Sequence, residues 1–511
     1  MSIASERKTE RILRVEEMRT SDSLTIASGI SGTELMLRAG TAVFNHTRWN
    51  APVGIVCGSG NNAGDGFVLA LLLAEHGVVC KLFLLSERFS SDGRYYFEKC
   101  KAASIPYAPF SEQTDLSSFA TLVDCIFGTG FHGVAEGIYA AAIRAINASP
   151  AYVVSVDIPS GLSGNSGLAE GACVRADKTV SIGNPQPGNY LNMAKDISRE
   201  IVCVDIGIAP RGDPMYLIEA DTLRKSLKPR KQFSNKGDYG YVALIGGSAL
   251  YSGAVKLSNL SCAALRSGCG VAKLAVPASC QDAVLPYLLE STLVSIPDED
   301  GYMTFRPEIF DALLRRTASC AVGMGWGSGK DNEKILRHIL KHYASPLIID
   351  ADALNTLARM PDRKALLNAA KVKPVLTPHL KEFERLSGFS KTELLQDASL
   401  HVRRFAKENH VILLLKGCTS VISDGEVTYL VNRGSAGMAT AGSGDLLSGV
   451  LAGLLGWMPA TALSVALGAW ICGVAGELAE REVGSISMLA SDTLRKLPAA
   501  YQLLTNESED I

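Results

Sequence analysis

The sequence predicts two α/β domains in tandem, each a parallel sheet covered by helices on both faces. Short β-branched runs alternate with amphipathic helical stretches through the first half, and strand–helix alternation marks a parallel sheet. After a turn-rich, charged lapse the second half repeats this grammar without repeating the sequence. The 511-residue length agrees, since at roughly 150 residues per domain it allows about two to four domains, each able to bury a core.

In chain order, 52–57 reads as a buried strand, 67–76 as a helix and 79–85 as a strand, with further strands at 122–125, 152–156, 179–182 and 201–204. The lapse lies between 206 and 237, where Ala209-Pro210-Arg211-Gly212-Asp213-Pro214 and Lys228-Pro229-Arg230-Lys231 are poor in apolar runs, and 215–226 reads as a short bridging strand and helix. The boundary is placed near 225, giving domains 1–225, with a linker from about 207, and 226–511. Strands follow at 241–245, 271–276, 319–322, 346–349, 374–376 and 411–415.

Composition excludes several classes. With 47% apolar residues and a net charge of −2, the bulk of the chain is not disordered. Fifty basic against 52 acidic side chains, with only 225–236 modestly basic, argue against binding nucleic acid. Twelve cysteines, scattered singly through apolar stretches without a C-x-x-C pair, suit free thiols in a reducing cytoplasm. The start, 1–14, is polar and has no apolar core of a signal peptide. Residues 446–476 lack charge and are long enough for a bilayer, but Gly456-Trp457-Met458-Pro459 splits them into two Ala- and Gly-rich pieces, so two packed helices are expected and no membrane.

The first strand runs into Gly58-Ser59-Gly60-Asn61-Asn62-Ala63-Gly64-Asp65-Gly66. Glycines let backbone approach a phosphate, and the following helix start offers free amides. The match to a dinucleotide fingerprint is formal, because the acidic ribose partner has only the poorly placed Glu87 as a candidate. An Asn/Gly turn accounts for such a loop too, but not for two further strands that end in Asp124 and Asp157. The carboxyl ends of parallel strands face one crevice, so Asp65, Asp124 and Asp157 should converge, which is costly without a cation or a hydroxylated substrate among them.

Four separated motifs resemble the YjeF N-terminal family of NAD(P)H-hydrate epimerases: Gly32-Thr33-Glu34-Leu35-Met36-Leu37-Arg38-Ala39-Gly40, the 60–66 loop, 124–130, and Val156-Asp157-Ile158-Pro159-Ser160-Gly161. The resemblance covers about 10–210 and implies a Rossmann-like three-layer αβα sandwich. It implies that Asn61, Asn62, Ala63, Gly64, Asp65, the loop Gly128, Thr129, Gly130, Phe131, His132, Gly133 and Val134, and Asp157 contact the hydrate. It further implies that Asn62, Asp124 and Ser160 hold K+, a hard cation suited to oxygen ligands. One departure is Ala63, where the family has glycine; its methyl is tolerated only at negative φ. Epimerisation needs proton transfer to and from the substrate, and Asp157 and Asp65 are both candidate bases.

In the second half, Ala439-Thr440-Ala441-Gly442-Ser443-Gly444-Asp445 enters a helix at Leu446. Bare amides at a helix start favour a transferring phosphoryl group, and Asp445 is placed to deprotonate a hydroxyl; a capping aspartate alone would not need the glycines. Strand 411–415 ends in Lys416-Gly417-Cys418-Thr419-Ser420, a phosphate contact or an ordinary charged turn. His338 and His342 have i,i+4 spacing without the glutamate of H-E-x-x-H and are assigned to a solvated helix face.

Together with Tyr251-Ser252-Gly253-Ala254, Val322-Gly323-Met324-Gly325 and Leu376-Thr377-Pro378-His379, these motifs resemble the NAD(P)H-hydrate dehydratase branch of the ribokinase-like superfamily, across 235–500. The resemblance implies a ribokinase-like αβα domain. It implies that Ala254, Gly325, His379 and Asp445 bind the hydrate, and that Lys416, Gly417, Cys418, Thr419, Ser420 and Gly444 bind the adenine nucleotide. His379 as a metal ligand is the alternative, but no second His or Cys is spaced to support it. Asp445 would deprotonate the hydrate's hydroxyl as it attacks the nucleotide's terminal phosphate, with Mg²⁺ and the anion hole stabilising the transferred group. Fusion of the two halves resembles bacterial members and implies ADP as co-substrate. The expected partners are NADHX, NADPHX, an adenine nucleotide and further copies of the chain. Two rivals are weighed: a ribokinase-like small-molecule kinase with a regulatory first half, and a protein- or RNA-binding scaffold in the first half.

Overall fold

The computed structural model describes residues 10–260 and 263–505. The expectations for 1–9, for Ser261 and Cys262 and for 506–511 lie outside these residues. Two compact units emerge, one over 10–214 and one from 215. The division therefore falls at Pro214 rather than near 225, because Met215–Leu217 pairs in parallel with Thr428–Val431 and Leu223, on helix Ala220–Ser226, is fully buried in the second unit's core.

The first unit is built on strands β1 (Val53–Cys57), β2 (Cys80–Leu84), β3 (Tyr107–Pro109), β4 (Thr121–Cys125), β5 (Tyr152–Val156), β6 (Ala176–Ile182) and β7 (Ser198–Val204). Their order is β3-β2-β1-β4-β5-β6-β7, parallel throughout. Every residue of β1 and β4 is buried, as expected of strands covered on both faces. The helix expected from Phe67 begins at Asn61 and runs to Glu75. Its polar first turn conceals it in the sequence, and tertiary contact supplies what propensity lacks: a Cβ on Gly64 would collide with Met36, and one on Gly66 would lie 2.8 Å from Cys125 Sγ. Because Ala63 lies inside this helix its methyl costs no backbone strain.

The second unit contains β8 (Met215–Leu217), β9 (Tyr241–Ile245), β10 (Val271–Pro277), β11 (Thr292–Ile296), β12 (Ser319–Val322), β13 (Leu347–Ile349), β14 (Val375–Leu376), β15 (Ile412–Leu415), β16 (Ser420–Ser423) and β17 (Thr428–Val431). They order as β8-β17-β16-β15-β14-β13-β12-β9-β10-β11. The β15-β16-β17 ribbon is antiparallel, a departure from the all-parallel expectation. The uncharged segment forms helices Ser443–Leu455 and Ala462–Val483. Ala462–Val483 is long and apolar enough to cross a membrane, yet 83% of its most apolar stretch is buried within the protein.

Candidate active sites

In the first unit, the register Val56↔Asp124↔Ser155 brings the carboxyl ends of β1, β4 and β5 level. Their loops meet helices Val15–Ala27, Gly32–Asn45 and Asn61–Glu75 around a cavity of about 780 Å³. Asn61, Asn62, Asp65, Gly128, Thr129, Gly130, Phe131, His132 and Asp157 line it. Ala63 and Gly64 do not: the helical period turns them into the core while positions 61, 62 and 65 face the cavity. Gly133 and Val134 also lie outside the lining, with Val134 about half exposed beyond the loop.

The carboxylates differ in environment. Asp157 has φ +70°, uncommon for a residue with a side chain, and its Oδ2 accepts the Thr129 amide at 3.0 Å. Burial raises its carboxyl above the ordinary range, opposed by Thr129. Asp65 is raised well above the ordinary carboxylate range, by burial and by the charges of Asp157 and Asp22, which favours its neutral form. Asp22 itself is raised to about 6 by burial and by Asp157. Sequence reasoning missed Asp22 and its neighbour Arg19; the available signal was the four-residue spacing of Met18, Asp22 and Ile26, a helix stripe that faces the cavity.

Asp124 is fully buried and does not line the cavity. Ser160 Oγ donates to its Oδ1 at 2.5 Å, while Ser155 Oγ and the Ser160 amide donate to Oδ2 at 2.9 and 2.8 Å. Asn62 Nδ2 donates to the Phe127 carbonyl at 2.9 Å, to which Ser160 Oγ also donates at 3.2 Å. Asn62 Oδ1 is buried without a hydrogen-bond partner. An orphaned amide oxygen beside a carbonyl, a hydroxyl and a carboxylate is a donor set that fits a hard cation.

In the second unit, Gly442 takes φ +94° and starts helix Ser443–Leu455, leaving first-turn amides free. Lys416, at the end of β15, lies against this turn: a Cβ on Gly444 would be 3.2 Å from its Nζ. Lys416 Nζ pairs with Asp350 Oδ1 at 2.8 Å and approaches Glu382 Oε2 at 3.9 Å. Burial alone would lower the lysine's pKa, and the two carboxylates outweigh it, so the ammonium persists. Burial, then Asp350, raises Asp445 to about 7, partly opposed by Lys416. Glu382 is likewise raised to about 7 by burial.

His379 pairs with Lys416 across a parallel bridge and caps helix Leu380–Ser387, its Nδ1 accepting the amides of Lys381 and Glu382 at 3.1 and 3.3 Å. That use of Nδ1 explains the residue without a metal. Gly325, at φ +63°, sits against Ala254, whose Cβ would be 2.9 Å from a Cβ at 325. Of 416–420 only Lys416 enters this cluster: Cys418 is exposed, Thr419 donates to Asn432 Oδ1 at 2.9 Å, Ser420 opens β16, and Gly417 turns between them. Asp350, Glu382 and Ser448 were not expected; Asp350, directly after apolar β13, was legible by the strand-end rule applied to Asp124. Of the two histidines expected on a solvated helix face, His342 is exposed, whereas His338 is partly buried, its Nε2 2.8 Å from Asp311 Oδ1 and its ring packed on Phe305.

Comparison with known proteins agrees with the two-unit reading. Residues 242–499 match the family model described as NAD(P)H-hydrate dehydratase, and 32–188 that of the YjeF-related protein N-terminus. The bifunctional NAD(P)H-hydrate repair enzyme Nnr of Moorella thermoacetica is 35% identical over 481 residues, covering 90% of this chain and 89% of that protein. Its namesake from Thermofilum pendens is 30% identical over 528 residues, covering 98% of each. A solved structure, the ADP/ATP-dependent NAD(P)H-hydrate dehydratase from Bacillus subtilis co-crystallised with ATP/Mg²⁺, is 25% identical with a TM-score of 0.49, covering 57% of this chain and 99% of that one. The chain belongs to the bifunctional NAD(P)H-hydrate repair enzyme family, with a YjeF-type first unit and a dehydratase-type second unit.

Proposed function

We propose that the first unit interconverts the R and S hydrates of NADH and NADPH, and that the second dehydrates the S form with ADP, giving AMP, phosphate and the reduced coenzyme. The observation that carries this reading is Asp445, raised to about 7 at a glycine-flanked helix start beside Lys416. A base near neutrality beside free amides and an ammonium suits phosphorylation of a hydroxyl. Asp445 takes the hydroxyl proton as that oxygen attacks the terminal phosphate, the O–P bond to AMP breaks, and the first-turn amides with Lys416 hold the developing charge. The phosphorylated hydroxyl then leaves as phosphate, pushed by the ring nitrogen, and loss of a proton from the adjacent ring carbon restores the double bond of the reduced coenzyme. Ala254, Gly325 and His379 flank the hydrate. The nucleotide lies along Lys416, Gly417, Cys418, Thr419, Ser420 and Gly444 and brings Mg²⁺ on its own phosphates.

In the first unit Asp157 is the base, since burial and the charges of Asp157 and Asp22 raise Asp65 well above the ordinary carboxylate range and favour its neutral form. Asn62, Asp124 and Ser160 would hold K+, which balances the carboxylate charge around the cavity. The eleven free thiols among the described residues support a cytoplasmic site, and the protein is taken as a homo-oligomer. The test is incubation with mixed NADH hydrate epimers and ADP, ATP or neither, following dihydronicotinamide absorbance. Full recovery with ADP supports both activities. A plateau part-way places the failure in epimerisation, and no recovery with either nucleotide refutes the dehydratase.

A further inference from the structure

The glycine turn that opens helix Ser443–Leu455 is reached through a segment with little to order itself. Residues 432–442, between β17 and that helix, include three glycines and three alanines, and their regular structure is a single 3-10 turn, Ala436–Met438. Such a chain has much backbone freedom to lose and few large side chains to bury. Helix Ala462–Val483 supplies the missing order. Gly473 and Gly476 let the segment approach closely: a Cβ on Gly473 would lie 2.7 Å from Arg433 Cβ, and one on Gly476 would collide with Met438. Two carboxylates three residues apart stand on the same helical face. Glu477 Oε1 accepts the Gly434 amide at 2.8 Å and Arg433 Nε at 3.0 Å, and its Oε2 accepts Arg433 Nη2 at 2.6 Å. Glu480 Oε2 accepts the Gly437 amide at 2.7 Å. From there the link to the turn is short. The Met438 carbonyl accepts Ser443 Oγ at 2.9 Å, and Ser443 directly precedes Gly444 and Asp445.

We propose that Glu477 and Glu480 are positioning residues for dehydration: by tying Gly434 and Gly437 to helix Ala462–Val483 they fix the first-turn amides of helix Ser443–Leu455 where charge develops on the transferred phosphoryl group. The inference rests on the dehydratase reading and adds to it what holds those amides in place. Donors stabilise a transition state best when they are already oriented before the reaction, because amides that must reorganise lose their advantage over water. A carboxylate accepting a backbone N–H makes a charge-assisted bond, stronger than a neutral side chain would make. The Glu477 anchor is stiffened by Arg433, whose guanidinium also lies 5.4 Å from the centre of the Trp470 ring. Glu480 is half-buried, and among the described residues it has no ion-pair partner. Its removal therefore acts on the segment it holds more than on the stability of the unit.

The test compares Glu480→Ala, Glu480→Gln and Glu477→Gln with wild type, all as the full-length protein, in ADP-dependent dehydration and in epimerisation. In Glu480→Ala kcat for dehydration should fall about 10-fold, with KM for ADP and for the hydrate moved less than about threefold and epimerisation unchanged. Its melting temperature should drop by no more than about 3 °C, the scale of one half-exposed hydrogen bond in a unit of this size. Glu480→Gln keeps an oxygen that can accept the Gly437 amide, so its kcat should return to within about threefold of wild type. Glu477→Gln should lower kcat as well, with a larger melting loss because the Arg433 guanidinium is left uncompensated. A kcat unmoved in Glu480→Ala or in Glu477→Gln, a loss confined to KM, or an equal loss of kcat in Glu480→Ala and Glu480→Gln overturns the proposal. If Glu480→Ala does not fold, Ser443→Ala, which cuts the link between the turn and Met438, must show the same loss confined to kcat for the proposal to stand. Wild type that dehydrates no hydrate would overturn the functional reading, and this inference with it. Wild-type turnover with an unmoved kcat in Glu480→Ala overturns the inference alone.

Discussion

Lys416 Nζ sits 2.8 Å from Asp350 Oδ1, and the other oxygen of Asp350 accepts from Ser448 Oγ at 2.7 Å, so the lysine beside the glycine turn is held from behind by a fully buried carboxylate. Removing one member of a buried pair leaves the other charge uncompensated. Lys416→Met should therefore destabilise the second unit by about 3 kcal/mol and abolish dehydration. The double variant Lys416→Met, Asp350→Leu should regain most of that stability and none of the activity. Urea unfolding with a dehydration assay checks both, and recovery of activity in the double variant would count against a phosphate role for Lys416.

The raised Asp445 carboxyl makes a signed prediction. A base with a pKa of about 7 is protonated below it, so dehydration should rise through neutrality and level off above. For stability, the folded value lies above the unfolded one, so this group's contribution is full below about pH 4 and is lost as pH rises through about 7. Asp445→Asn should thus melt above wild type at about pH 8 and show no such gain at about pH 4, by calorimetry at the two pH values.

Asp157 and Asp65 should separate cleanly in the epimerase. Burial and neighbouring charges favour the neutral form of Asp65, which Asp65→Asn mimics in shape, so that variant should cost less than about 10-fold, whereas Asp157→Asn removes the base and should cost about 10²-fold or more. A larger loss in Asp65→Asn, read from hydrate interconversion by chromatography, would reverse the assignment, and equal losses would contradict it.

The orphaned Asn62 Oδ1 predicts a cation dependence. Replacing K+ with tetramethylammonium should slow epimerisation and lower the melting temperature of the first unit, while dehydration is unaffected. Asp124→Ala should slow epimerisation as well, although it also strands the hydroxyls of Ser155 and Ser160. Unchanged epimerisation in both experiments removes the cation from the site.

Legibility followed the physics of each segment. Residues 152–156, 241–245 and 319–322 carry short, mostly apolar runs free of charge, glycine and proline, and their strands have the expected bounds. The β16–β17 hairpin was missed although Asp424-Gly425 is a hairpin signal, with Gly425 at φ +92°. Strand β11, a half-buried edge, lacks the continuous apolar run of its neighbours. At the sites, strand-end aspartates were readable because parallel topology gathers them. Asp22 and Glu382 were not, because a helix brings each to its site from another part of its unit, and only the folded packing shows which helical face turns inward.

The central claim is that Asp445 activates the substrate hydroxyl. Asn preserves the shape of the side chain in the helix's first turn but cannot take a proton, so the decisive measurement is kcat for ADP-dependent dehydration by Asp445→Asn, alongside nucleotide affinity and epimerisation on the same preparation. The account predicts a fall in kcat of about 10²-fold or more, with nucleotide affinity little changed and epimerisation intact. Near-normal dehydration would contradict it.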